Sequence, residues 1–281
     1  MTPTARRPVR SGAAAALLAA LALAGCGSTD DGPRIALAPI DANVGSEANI
    51  GSLTAAIQQN PQNAANYNVR GSAFGKSGRL QDALADFTTA IRLDPRFHQA
   101  YTNRALIYRQ LGQPQQALAD YNQAIQINPS YAAAYLGRGT IYRQSGQYDF
   151  AMADLNQAIQ LNTSEARAYY NRALIYQVRN DHARASSDLD AAIALDPTSS
   201  EPYNARGLSE LALGDNKAAL TDFAAAVNRN KKSAVFWTNL GIAQVRTGDV
   251  ATGRNSINRA LVLDPKYKPA RDALATERGA S

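Results

Sequence analysis

The chain has 281 residues, a formal net charge of +6 at neutral pH, 45% hydrophobic residues and 19% charged residues. This composition is sufficient for a packed core and argues against a disordered, highly charged chain. The single cysteine excludes an intrachain disulfide, and the two distant histidines disfavour a zinc module.

The first 25 residues have the layout of a bacterial export signal. Arg6, Arg7 and Arg10 give it a basic start, and the segment from Ala13 to Ala22 is almost entirely alanine and leucine. This apolar run is shorter than the roughly 20 residues that a transmembrane helix needs. We therefore predict that residues 1–25 are a signal peptide, whose removal lowers the net charge from +6 to +3.

The signal ends in the sequence Leu23-Ala24-Gly25-Cys26. This string resembles the lipobox of bacterial lipoproteins, in which a peptidase cleaves before the cysteine and the cysteine then carries the lipid. The resemblance implies lipidation at Cys26, which is the only cysteine of the chain. Gly27, and not Asp, follows it, which by the same resemblance implies an outer-membrane lipoprotein that faces the periplasm.

Residues 26–46 are rich in Gly, Pro, Ser and Asp and have no sustained periodicity, so they are predicted to form a flexible tether. A chain of this length has a root-mean-square reach of roughly 25 Å. The tether would let a folded domain stand away from the membrane surface while remaining anchored to it.

From residue 64 to residue 267 the chain repeats every 34 residues without an insertion. The copies are residues 64–97, 98–131, 132–165, 166–199, 200–233 and 234–267. Position 4 is Tyr or Trp, positions 8, 20 and 27 are Gly or Ala, and position 24 is large and apolar. Helical periodicity places positions 4, 8 and 11 on one face, and positions 20, 24 and 27 on one face of a second helix. The pattern predicts pairs of helices that approach closely at the small residues.

Two positions mark the ends of the helices in each copy. Position 15 is Gly in five copies and Asn180 in the fourth, which predicts a left-handed residue at the end of the first helix. Position 32 is Pro in four copies and ends the second helix. Thr163 and Lys231 replace that proline in the third and fifth copies, so we expect those two corners to be looser.

This pattern resembles the tetratricopeptide repeat (TPR), and the resemblance covers 204 of the 281 residues. It implies an all-α, right-handed solenoid of six helix-turn-helix repeats. Leu53, Ala56 and Pro61 are in phase with positions 24, 27 and 32, so residues 47–63 are predicted to form a half-repeat helix before the array. Residues 268–281 are predicted to be a polar capping helix and tail, as a solenoid end requires.

Positions 7 and 23 vary together along the chain. The first five copies have Arg and Asp there, whereas the sixth has Leu240 and Ser256. We therefore predict a structural ion pair within each of the five repeats, the alternative being a basic ladder that binds a ligand. The predicted pairs are Arg70–Asp86, Arg104–Asp120, Arg138–Asp154, Arg172–Asp188 and Arg206–Asp222.

The TPR resemblance also implies that the first helices line a concave groove for a protein partner. Asn side chains in such a groove can bind a peptide backbone, with Leu, Tyr and Arg adding apolar contact and charge. The alternative is that these polar residues are simply tolerated on a solvated face. The predicted groove residues are Asn68, Thr102, Asn103, Leu106, Arg109, Leu136, Thr140, Arg143, Tyr170, Asn171, Leu174, Gln177, Asn204, Leu208, Leu211, Thr238, Asn239 and Ile242.

The sequence contains no catalytic motif. The segment from Gly71 to Ser77 is one residue short of a phosphate-binding loop and follows no predicted strand. We therefore predict a protein that is not an enzyme, with no cofactor, no metal and no nucleic-acid partner. A homodimer is compatible with the repeat pattern.

The resemblance to outer-membrane TPR lipoproteins implies a scaffold or adaptor that supports the cell envelope, serving peptidoglycan hydrolases or envelope proteases. A pilotin-like role in assembling a pilus or secretin is the first alternative. The second is binding of anionic envelope glycans by the basic C-terminal end. The cations of that end are Arg229, Lys231, Lys232, Lys266, Lys268 and Arg271.

Overall fold

The computed structural model describes residues 44–279, and this part of the chain consists of helices joined by short turns. The predicted signal peptide, Cys26 and nearly all of the tether lie outside the described residues. The helices of the described part are α1 (Glu47–Gln59), α2 (Ala64–Lys76), α3 (Leu80–Leu93), α4 (His98–Gln110), α5 (Pro114–Ile127), α6 (Ala132–Gln144), α7 (Tyr148–Leu161), α8 (Ala166–Val178), α9 (His182–Leu195), α10 (Glu201–Leu213), α11 (Asn216–Arg229), α12 (Ala234–Arg246), α13 (Val250–Leu263) and α14 (Lys268–Gly279).

Each of the six repeats contributes one helix pair, from α2 and α3 to α12 and α13. Each first helix contacts the next first helix, as α4 contacts α6. Among the described residues, by contrast, no second helix contacts the next second helix. The first helices are therefore the more closely spaced layer and lie on the inner side of the array. Helix α1 packs on α2 at one end, and α14 packs on α12 and α13 at the other.

The core consists of large residues at position 24 surrounded by small ones. All six position-24 side chains are at most 2% exposed, and the alanines at position 27 are fully buried. Close approach depends on the small residues: a Cβ added at Gly71 would lie 2.8 Å from the ring of Phe87. The predicted pairing of small and large positions is confirmed, and it explains how the two helices of a repeat approach each other closely.

Every first helix ends in the predicted left-handed residue. The five position-15 glycines have φ between +70° and +97°, and Asn180 has φ +56°. The next backbone N–H reaches back to the carbonyl five residues earlier, as from Arg79 to Phe74 at 2.9 Å and from Asp181 to Tyr176 at 2.8 Å. This hydrogen bond is one of the two in the Schellman motif, which satisfies carbonyl groups at a helix end.

The corners that lack proline are closed in the same way as the others, contrary to our expectation for Thr163 and Lys231. Helices α7 and α11 end at the same repeat position as the other second helices. The reason is position 31, which is always Asp or Asn and whose side-chain oxygen accepts the N–H of the residue two further on. Asn162 does so from Ser164 at 3.0 Å, and Asn230 does so from Lys232 at 3.1 Å. This side-chain turn shapes the corner without help from proline.

Candidate functional site: the inner face of the first helices

All five predicted ion pairs are present, with the same geometry in each repeat. The arginine donates from Nε and Nη2 to both carboxylate oxygens of the aspartate, at 2.7–2.8 Å. The aspartates are only 4–7% exposed. The carboxylate hydrogen bonds raise the pKa of all five guanidinium groups. These are bidentate, mostly buried pairs, which are the strong class of charged hydrogen bond.

Each of these arginines also holds the preceding repeat. Its Nη1 donates to position 25 of the second helix before it, at 2.5–3.1 Å. The acceptors are Thr54, Thr88, Asn122, Asn156 and Asp190. The guanidinium group also lies 5.7–5.9 Å from the centre of the Tyr ring at position 4. Each arginine therefore braces three helices, which favours the structural role over a ligand-binding ladder.

We did not predict from the sequence that the position-25 side chain accepts a hydrogen bond from the arginine, although the sequence contains an indication of it. The repeat that loses Arg and Asp, with Leu240 and Ser256, is preceded by Ala224 in place of the acceptor. Ser256 instead donates to Gln244 at 2.7 Å. Three positions therefore change together, and the third is visible only when successive copies are compared.

Four of the predicted groove residues are buried and so form part of the packing. Thr102, Leu136 and Thr238 share position 5, and Asn171 is at position 6. They are between 1% and 8% exposed, because these positions face the neighbouring helices of the array. The prediction that these four residues are open groove contacts was wrong, because they are buried. Thr102, Leu136 and Asn171 nevertheless line a cleft on the inner face.

Several predicted amide side chains join successive first helices. Asn103 donates to Asn68 at 3.0 Å, and Asn239 donates to Asn204 at 2.8 Å. Gln177 donates to the carbonyl of Ala205 at 2.6 Å. Part of the hydrogen-bonding capacity that we assigned to a peptide is therefore used within the protein.

The other predicted groove residues are accessible to different degrees. Leu106 and Leu208 are the most accessible apolar members, at 36% and 42% exposed. The remaining members are half-buried: Arg109, Thr140, Arg143, Tyr170, Leu174, Leu211 and Ile242.

Two adjoining clefts open on the inner face of repeats two to four, and the second reaches the start of repeat five. The first has a volume of about 230 Å³, and its walls include Thr102, Leu106, Arg109, Tyr121, Tyr131, Leu136, Gly137 and Arg167. The second has a volume of about 330 Å³, and its walls include Arg143, Tyr170, Asp196, Ser199 and Glu201. Thr140, Arg167 and Asn171 line both clefts, so the two form one elongated groove.

This groove contains cations that the protein does not neutralise. Within the described residues, the Arg109 side chain makes no hydrogen bond and no ion pair. Arg143 donates from Nε to the amide oxygen of Asn171 at 2.8 Å and has no carboxylate partner. Burial lowers the pKa of the Arg143 guanidinium, which nevertheless stays charged at neutral pH. Arg167 pairs with Glu165 at 2.9 Å. The groove of repeats two to four is therefore suited to bind acceptor groups with negative charge.

Comparison with family models gives the fold family. Tetratricopeptide-repeat models match residues 64–97, 98–131, 139–177, 166–199 and 204–268, which together cover more than half of the chain. The chain belongs to the tetratricopeptide-repeat family. No curated protein sequence matches it significantly.

Solved structures with the same fold include three TPR proteins of low sequence identity to this one. A chain of the anaphase-promoting-complex assembly Cut9–Hcn1 aligns with a TM-score of 0.74 and 16% identity, over 82% of this chain and 46% of that one. This TPR protein therefore spans about half of that chain. PilF of Pseudomonas aeruginosa aligns with a TM-score of 0.70 and 16% identity, over 76% of this chain and 97% of its own. YrrB, described as a TPR protein with an unusual peptide-binding site, aligns with a TM-score of 0.55 and 22% identity, over 67% of this chain and 97% of its own.

The basic side chains at the C-terminal end of the TPR array are exposed, but some of them already bind groups of the protein. Arg229 donates to the carbonyl of Pro197 at 2.7 Å and to the hydroxyl of Tyr203 at 2.8 Å. Lys268 pairs with Asp272 at 2.5 Å on the same helix. Lys231 and Lys232 are exposed at the corner after α11.

The described residues lack two further features. None of their helices is both long and apolar enough to cross a bilayer. They contain no group of three or more His, Cys, Asp or Glu side chains arranged to hold a metal ion.

Proposed function

We propose that this TPR protein is a lipid-anchored scaffold on the periplasmic side of the outer membrane, and that it binds a partner protein through the groove of repeats two to four. The observation that carries the proposal is the elongated groove, in which the guanidinium groups of Arg109 and Arg143 have no carboxylate partner among the described residues. Packing and ion pairing account for the other repeated arginines, but they do not account for these two.

The anchor and the tether support the location. Cys26 is the only cysteine and lies at the end of an export signal, and the folded array begins with α1 (Glu47–Gln59) about 20 residues later. A tether of this length has a reach of roughly 25 Å. The array would then stay close to the membrane and hold its partner there, which raises the partner's effective concentration for other membrane-bound components.

Within this role, the favoured partners are peptidoglycan hydrolases and envelope proteases, which act near the outer membrane and gain from being held there. The protein itself acts as an adaptor and carries out no chemistry in this proposal. A TPR array can bind such a partner through a short extended segment, since its inner face is a long groove and not an enclosed pocket.

A pilotin-like role in assembling a pilus or secretin is the second candidate. The observation that favours it is the likeness of fold to PilF, which extends over 97% of that chain. The two candidates share the anchor, the array and protein binding, and they differ only in the partner.

The test is proximity labelling with mass spectrometry on intact cells that produce either the wild type or Cys26→Ser. Peptidoglycan hydrolases or proteases that are labelled by the wild type and lost with Cys26→Ser would support the adaptor. Secretin or pilus components would support the pilotin role. If the same abundant envelope proteins were labelled in both strains, the scaffold proposal would fail. Loss of glycan binding on changing Lys231 and Lys232 to Gln would then favour the glycan alternative.

A further inference from the structure

The floor of the first cleft contains a tyrosine that extends past a glycine. Tyr121 is the position-24 residue of the second repeat, and its side chain is 2% exposed. A Cβ at Gly137 would lie 2.2 Å from its Cζ and 2.6 Å from its hydroxyl oxygen. The phenol therefore occupies the space in which any other residue at position 137 would place its side chain.

This arrangement occurs once in the array. Position 24 is Phe, Leu or Ile in the other five repeats, and Gly137 is the only glycine at position 6. In the first and fifth repeats the position-24 Phe lies instead against the glycine at position 8 of its own repeat. The second repeat directs its large ring toward the following repeat, where Gly137 leaves room for it on the inner face.

The polar end of this ring has no partner within the protein. The Tyr121 hydroxyl makes no hydrogen bond to any described residue, and Tyr121 lines the first cleft. Thr102 lines the same cleft, is 8% exposed, and its Oγ1 also has no hydrogen-bond partner. Buried hydroxyl groups without partners are costly, and most proteins avoid them. The Thr102 hydroxyl is such a group, whereas the Tyr121 hydroxyl is not fully enclosed, so a group bound in the cleft can supply its acceptor.

The charges around these hydroxyls indicate the kind of acceptor. Arg109 and Arg167 lie close enough to Tyr121 to lower the pKa of its hydroxyl, although burial raises it by more. Arg109 has no acidic partner among the described residues. Leu106 and Leu136 give the same cleft an apolar wall. Hydroxyl and guanidinium donors beside an apolar wall suit a carboxylate on a short aliphatic stem.

We propose that the first cleft binds a carboxylate of an extended acidic peptide segment of the partner protein, with Tyr121 and Arg109 as the donors. The inference rests on the proposed function, because it names the chemistry of the partner in the same groove. The second cleft continues the groove past Arg143 to Asp196 and Glu201. The carboxylate therefore binds in the first cleft, and the rest of the segment extends along the second. Each cleft alone is at or below the lower end of the roughly 300–1,000 Å³ typical of small-molecule pockets, which favours an extended chain.

The experiment uses the full-length lipidated protein in detergent and a random decapeptide library. The library is synthesised in two forms, one with a free C-terminal carboxylate and one with a C-terminal amide, and retained peptides are identified by mass spectrometry. We expect retained peptides to be enriched in Asp or Glu in both forms if the carboxylate belongs to a side chain. Retention confined to the free-acid form, without a preference for Asp or Glu, would assign it to a C-terminus. Both outcomes support the proposal.

Variants then test the named donors. For the most strongly retained peptide, Arg109→Gln is expected to weaken binding about tenfold or more, since a charged hydrogen bond is lost. Tyr121→Phe removes only the hydroxyl and is expected to weaken binding severalfold. Arg92→Gln is the matched control, because Arg92 is exposed on a second helix and lies outside both clefts. Circular dichroism verifies that all three variants are folded.

Three results would overturn the inference. If amidated peptides without Asp or Glu were retained as well as acidic ones, the groove would bind protein but not through a carboxylate, and the proposed function would stand. Equal affinity of the wild type and Arg109→Gln for the acidic peptide would also refute the assigned site. Retention of no peptide in either form would contradict protein binding by the groove, and with it the proposed function.

Discussion

At the scale of single residues, the position-7 arginine shows how one side chain can join three helices. It contacts the carboxylate of its own repeat, an acceptor on the preceding repeat and the face of a tyrosine ring. A mostly buried charge of this kind contributes little when intact, because desolvation offsets attraction, but removing one partner is costly. The row of five Arg–Asp pairs, which we call the ladder, therefore fixes the register of neighbouring repeats more than it adds stability.

The first prediction concerns the middle pair of this ladder. Asp154→Ser should lower the free energy of unfolding by about 2–3 kcal/mol, because Arg138 keeps its charge and loses its counter-ion. The double variant Arg138→Leu with Asp154→Ser, which reproduces the sixth repeat, should lose less than the sum of the two single variants. Urea unfolding followed by circular dichroism measures both.

The control for this experiment is Asp149→Ser. Asp149 pairs with Arg179 at 2.5 Å, but its side chain is 96% exposed. Surface pairs of this kind contribute little, so this variant should unfold at the urea concentration of the wild type. Equal losses for Asp149→Ser and Asp154→Ser would contradict the role assigned to burial.

The second prediction concerns the glycine beneath Tyr121. Gly137→Ala should lower the free energy of unfolding by about 1–3 kcal/mol, because the new methyl group overlaps the ring. Gly51→Ala is the matched control, since a Cβ at Gly51 meets no atom within 4 Å. There, alanine in a helix should be neutral or stabilising by about 0.5–1 kcal/mol. Thermal unfolding separates the two, and stabilisation by Gly137→Ala would contradict the packing described here.

At the scale of helices, the repeat is defined by how its elements end. Every first helix ends in a left-handed residue, and every second helix ends at a turn that an Asp or Asn side chain closes. Asn180 is the one non-glycine residue with positive φ among the described residues. An L side chain in that conformation carries a small steric cost that glycine avoids.

The third prediction follows from that cost. Asn180→Gly should raise the free energy of unfolding by about 0.5–1 kcal/mol, and Asn180→Ala should lower it by about 1 kcal/mol. The transition midpoints of the two variants, measured in urea, should lie on opposite sides of the wild type. A shift of both variants in the same direction would show that the conformation of Asn180 is not what limits this turn.

Helix boundaries and the ladder pairs could be predicted because they depend on local rules that are repeated six times. A residue at position 15 or 31 determines its own turn, and Arg and Asp vary together within one repeat. The groove could be predicted only in part, because it depends on contacts between repeats. The neighbouring helix determines which position-5 residues are buried. It also determines which arginine lacks a partner. Tyr121 was missed because position 24 is a core position, and only Gly137 on the next repeat makes its hydroxyl reach the cleft.

At the scale of the whole array, each repeat is stabilised by its neighbours, so the two ends need separate cover. Helix α14 provides it at one end. Ala270 is fully buried, and Ala273 and Leu274 pack with Ile257, Ala260 and Trp237. The missing ladder in the sixth repeat leaves these apolar contacts as a main support of that end.

The fourth prediction tests this cap. Ala270→Arg should displace α14 and lower the free energy of unfolding by about 2–4 kcal/mol, since a charged side chain has no room at that contact. Ala275→Arg, on the exposed side of the same helix, should leave stability unchanged. Hydrogen exchange should show faster exchange in α12 and α13 for the first variant only. Equal exchange in both variants would mean that α14 does not act as a cap.

The same neighbour dependence explains the proposed partner site. The groove exists only where successive first helices lie side by side. Its cations without a carboxylate partner among the described residues come from two repeats, Arg109 from the second and Arg143 from the third.

The central claim is that the partner binds on the inner face of repeats two to four. It is tested most directly by placing a photo-crosslinking amino acid at Leu106, which is 36% exposed in the groove, and at Val262, which is 69% exposed on a second helix. We predict a crosslinked partner protein at position 106 in intact cells, lost when Arg109→Gln is added, and none at position 262. Crosslinking of the same partner at both positions, or at position 262 alone, would contradict the account.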